Sequence, residues 1–81
     1  MSTHLEIEMP DRSSAFQLED ELRTLRPLAV GRHGVWKVEL DDEEDHLDAV
    51  VEAARRWLRE HEPPCGELVL RVGTSELRIH P

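Results

Sequence analysis

Cysteine, aromatic rings and lysine are the scarcest chemistry in this chain. Cys65 is the only cysteine, so no internal disulfide can close, and a cysteine-based zinc site would need several histidines to complete it. An 81-residue chain without such staples has a thin core and must rest on packing or on a partner. There is no tyrosine, one phenylalanine (Phe16) and two tryptophans, Trp36 and Trp57. Three aromatic rings are too few to build an extended basic–aromatic surface, which speaks against nucleic-acid binding. Apolar runs stop at three residues, whereas a membrane-spanning helix needs about 20. The first eight residues have neither a basic stretch nor an apolar stretch, so no secretory signal is expected and the cytoplasm is the expected location. Lys37 is the single lysine, and the other nine basic residues are arginines. That bias is common in GC-rich bacterial genomes and suggests a bacterial source.

What the chain has in quantity is acid. Eighteen carboxylates against ten basic groups leave a net charge of −8. Such a field repels nucleic acid and anionic membranes and favours basic partners. The length is that of one domain, residues 1–81.

Hydrophobic periodicity divides the chain into alternating strands and helices. Leu5, Ile7 and Met9 alternate with His4, Glu6 and Glu8, the period-two pattern of a half-buried strand that Pro10 ends. Ser13 or Ser14 can cap a following helix with Ala15, Leu18, Leu22 and Leu25 on one stripe, stopped by Pro27. Trp36, Val38 and Leu40 alternate with Lys37 and Glu39 as a second strand. Leu28-Ala29-Val30 forms either a separate strand, turned back by Gly31-Arg32-His33-Gly34, or part of an irregular loop; the paired glycines favour the hairpin. The acidic run Asp41 to Asp45 is expected to open a second helix, with Asp41 or Asp42 as its cap. Leu47, Val50, Val51, Ala54, Leu58 and His61 recur along it at threes and fours, and Pro63-Pro64 ends it. Leu68, Leu70 and Val72, then Leu77 and Ile79, alternate around Gly73-Thr74-Ser75 as a terminal hairpin.

Each element has one apolar face to hide, and two helices on one side of a four- or five-stranded sheet hide them all. The expected class is α+β, a two-layer sandwich. With the hairpin at Gly31–Gly34 the order is a ferredoxin-like βαββαβ unit with an extra edge strand; without it the order is βαβαββ. The core is expected to comprise Leu5, Ile7, Leu18, Leu22, Trp36, Val38, Val50, Val51, Ala54, Leu58, Leu68, Leu70, Leu77 and Ile79. The opposite sheet face then carries Glu6, Glu8, Lys37, Glu39, Val69, Arg71, Glu76 and Arg78, whose charges can pair across strands.

Reactive constellations are weak throughout. Five consecutive acids point in several directions and hold no glycine, unlike a calcium loop. His46 and His61 are 15 residues apart, about 22 Å along a helix, too far to share a metal. His61 and Cys65 would still need two more zinc ligands, and only His4 and His80 sit on strands that could be neighbours. Cys65 follows two prolines with no basic neighbour. No catalytic residue, metal ligand or cofactor is therefore assigned. Arg32 and His33, in the only basic glycine-flanked loop, and Lys37, Glu39, Arg71 and Arg78 are the expected partner contacts. The expected function is a non-catalytic interaction or regulatory module, an accessory subunit docking on a larger and possibly basic protein. The alternatives are a dimeric small-ligand sensor and an acidic nucleic-acid mimic. Neither nucleic acid nor membrane is an expected partner.

Overall fold

A computed structural model describes residues 3–43 and 46–81. Its elements are β1 (Thr3–Met9), α1 (Arg12–Glu21), a 3₁₀ turn (Arg23–Leu25), β2 (Leu28–Arg32), β3 (Val35–Asp42), α2 (Leu47–His61), β4 (Leu68–Val72) and β5 (Ser75–Ile79). The fold is α+β. Its five strands form one sheet in the order β2-β3-β1-β4-β5, and every neighbouring pair is antiparallel. β1 lies at the centre, with Leu5 and Ile7 fully covered and Met9 nearly so. The buried side chains of both helices join those of the strands in one cluster.

Local chemistry explains most boundaries. α1 is capped by Asp11, not by Ser13 or Ser14: the Asp11 carboxylate accepts the Ser14 backbone N–H at 2.7 Å. That satisfies one of the donors a helix leaves unpaired at its start. Leu28–Arg32 is a strand of its own, so the order with Leu28 to Gly34 as an irregular loop is not adopted. The two-residue turn is His33-Gly34, at φ 52° and 79°. Left-handed geometry at both positions is what a tight hairpin needs to match strand twist. Glu62, also left-handed at φ 43°, closes α2 just before Pro63.

Two expectations are corrected here. Asp41 and Asp42 do not open α2; they are the last residues of β3, paired with His4 and Thr3. The strand continues because Leu40 and Asp42 keep facing inward, while Glu44 and Asp45 lie outside the described residues. Asp42 still serves the entry to the helix, since its buried carboxylate accepts the His46 backbone N–H at 2.6 Å.

The core also differs from its expected roster. Leu77, placed inside by periodicity, is 44% exposed. It faces the helices' side of the sheet beside buried Leu70, but β5 is an edge strand and the helical layer leaves that part of it open. Trp36 and Val51 only pack against the core from its margin. Met9, Ala15, Leu40, Ala53 and Trp57 join the interior instead. Trp57 is the largest fully buried side chain, and its indole N–H donates to Gln17 Oε1 at 3.0 Å, tying α2 to α1. No helix among the described residues is long and apolar enough to cross a membrane.

Candidate functional site

With α1 and α2 packed on one face of the sheet, the residues of opposite parity display the other. The strand register lines them up in rows. One row runs Leu28, Glu39, Glu6, Arg71, Glu76 across all five strands. The next runs Val30, Lys37, Glu8, Val69, Arg78. The expected outward face is therefore present as a single surface, and it is laced with ion pairs. Lys37 Nζ lies 3.5 Å from Glu6, Arg71 Nε 3.1 Å from Glu76, and an Arg78 nitrogen 2.8 Å from Glu67. Its margin along β2 and β3 exposes two apolar side chains, Leu28 at 61% and Val35 at 41%, with Arg32 opposite Val35.

Of the expected contact residues, Arg32, Lys37, Glu39, Arg71 and Arg78 share this face, Arg32 opposite Val35 at the hairpin end of β2, the Met9 end of β1. His33 sits in the hairpin turn. His4 and His80 are not brought together. β4 intervenes, and His4 lies near Gly73 at one end of the sheet while His80 approaches Glu67 at the other. Two arginines of α2 make ion pairs: Arg55 reaches Glu52 within the helix, and Arg56 crosses to Glu21 of α1.

The register also assembles a group that spacing alone did not single out. His4 and Glu6 alternate on β1, Glu39 and Asp41 alternate on β3, and the pairings are His4 with Asp41 and Glu6 with Glu39. His4 Nδ1 lies 3.0 Å from Asp41 Oδ1, while Nε2 is 3.3 Å from Glu6 Oε1 and 3.7 Å from Glu39 Oε1. The hydrogen bond with Asp41 raises the His4 pKa, assisted by Glu6 and Glu39, against a smaller opposing effect of burial. Burial works against ionising Glu6, but Lys37, Glu39 and His4 together outweigh it and hold its carboxyl below the usual range. The signal in the sequence was the pair of alternations, His-x-Glu and Glu-x-Asp. Only the pairing of β1 with β3 makes one cluster of them.

A second concavity lies on the helical side. An open groove of about 820 Å³ runs between the end of α1 and the first turns of α2. Leu22, Leu25, Leu40 and Ala53 contribute apolar lining, and Glu21, Arg26, Glu43 and Arg56 contribute charge.

Compared with models of known protein families, with curated proteins and with solved structures, the chain finds no match in any of the three.

Proposed function

We propose that the protein is a non-catalytic interaction module, an accessory subunit that docks on a larger protein partner through its open sheet face. The observation that carries this reading is the face itself: five strands wide, with rows of charge and two exposed apolar side chains, Leu28 and Val35, at its margin. Interfaces commonly combine an apolar patch with a polar surround, and a net charge of −8 favours a basic partner by steering its approach. We further read the fold as ferredoxin-like. The chain order β-α-β-β-α-β and the sheet order β2-β3-β1-β4 support that reading, with β5 extending the β4 edge. A lone exposed cysteine suits a reducing compartment, and the proposal assigns the module to the cytoplasm.

The test is a comparison of wild type with a Leu28→Glu/Val35→Glu variant as bait, with recovered complexes sized by light scattering. A stoichiometric partner held by wild type and lost by the variant supports the reading. Equal capture by both removes the sheet face as the docking site. The groove between the helices favours a second reading, a small-ligand sensor. A metabolite that raises the melting temperature of wild type but not of a variant filled at Ala53 would shift the assignment to that site.

A further inference from the structure

The environment of His4 demands a cation. Its Nδ1 is committed to the Asp41 carboxylate at 3.0 Å, which turns Nε2 toward two further carboxylates, Glu6 at 3.3 Å and Glu39 at 3.7 Å. A bare Nε2 lone pair facing two anionic oxygens is repulsive, so something positive must stand between them: a proton on the ring or a metal ion. Glu6 and Glu39 are also directly opposed across β1 and β3, and Lys37 offsets this close approach at Glu6 Oε2, on the side away from His4.

The dimensions suit a metal. Ligands at zinc bond lengths of about 2.0–2.1 Å stand roughly 3.4 Å apart in a tetrahedral shell. The ligand atoms of His4, Glu6 and Glu39 all lie within 4.8 Å of one another. Asp41 supplies what metal-bound histidines regularly have, a carboxylate on the remote ring nitrogen that sets the tautomer and leaves Nε2 to coordinate. Lys37 contacts the other oxygen of Glu6, Oε2, leaving Oε1 directed at His4. One imidazole with two carboxylates matches the borderline divalent transition ions better than magnesium or calcium, which prefer oxygen alone.

We propose that His4 Nε2, Glu6 and Glu39 bind one divalent transition-metal ion of the zinc type, with Asp41 orienting the imidazole and water completing the shell. The ion would join β1 to β3 on the face opposite the helices, a bond that requires the two strands to be paired.

Calorimetric titration of metal-stripped protein with Zn²⁺ at neutral pH tests this. One equivalent is expected to bind, with His4→Ala and Glu39→Gln each weakening affinity at least tenfold. Asp41→Asn is expected to weaken it about tenfold through loss of ring orientation. His80→Ala and Cys65→Ser are expected to bind as wild type does. NMR of the wild-type protein reads the same site without substitution: Zn²⁺ should perturb the ring signals of His4 and leave those of His33 and His61 in place. Binding with no saturable single site, unchanged affinity in the Glu39→Gln variant, or perturbation centred on another histidine would overturn the assignment. So would Mg²⁺ or Ca²⁺ binding as tightly as Zn²⁺.

Discussion

A methyl group added at Gly31 would stand 2.6 Å from the Cε2 and Cζ2 atoms of Trp36, closer than real side chains approach. Gly31 faces Trp36 across the β2–β3 pair, and the indole lies over it with Phe16 and Arg12 grouped beside the ring. Gly31→Ala is therefore expected to destabilise by about 1–3 kcal/mol, the usual cost of overpacking. Urea denaturation followed by tryptophan fluorescence reads both that loss and the displaced indole. Asp11 makes a different kind of prediction. Its bond to the Ser14 N–H lowers its folded pKa, so the ionised carboxylate adds stability above the unfolded pKa, and that stability is lost as pH falls through the folded one. Asparagine caps comparably but does not titrate. Any stability advantage of wild type over Asp11→Asn should accordingly shrink as pH drops below the ordinary aspartate range, which paired thermal melts across that range measure.

At the level of elements, the free edge of β2 is one of the two exposed edges of the sheet, β5 being the other. β2 is five residues long, pairs only with β3 and contains no proline. Glu19 of α1 guards it, accepting the Ala29 backbone N–H at 2.7 Å. Edge strands with unpaired amides invite pairing with another chain, and a carboxylate placed on one of those amides blocks that pairing. Glu19→Ala should cost about 1 kcal/mol through the lost charge-assisted bond. It should also introduce concentration-dependent self-association, visible by light scattering. A variant that is destabilised but strictly unchanged in size would remove the guarding role.

Across the whole molecule, the charged rows of the open face contribute little to stability individually. Arg71 and Arg78 are both solvent-exposed, although their nitrogens lie 3.1 Å and 2.8 Å from carboxylates. Exposed pairs of this kind are typically worth about 0.2–1 kcal/mol because solvent screens them and ordering two long side chains costs entropy. Arg71→Ala and Arg78→Ala should each change unfolding free energy by less than about 1 kcal/mol in chemical denaturation. Their larger effect is expected on association. Reversing both to Glu makes the face more acidic, so the approach of a basic partner should not slow, but the contacts of Arg71 and Arg78 are lost and capture should fall. Capture retained at wild-type level would remove these residues from the docking surface.

The α+β composition, the alternation of Leu5 to Met9 and of Trp36 to Leu40 as strands, the long helix Leu47–His61 and the terminal hairpin were all legible from local periodicity. Alternation and helical spacing are properties of neighbours along the chain, and apolar side chains must be hidden whatever the partner. The outward face was legible for the same reason, since its residues have opposite parity to the core. Tertiary structure decided the rest. Periodicity identifies the side on which Leu77 lies but not how far the helical layer extends, so a residue of the correct parity stands 44% exposed at an edge. A run of five acids suggested a helix entry, yet its first two residues remain in β3 because the β1 strand holds them in register. The His4 cluster shows the same limit most clearly: Asp41 lies 37 positions from His4, and its place beside the ring follows from strand register, a pairing between distant segments that no local pattern specifies.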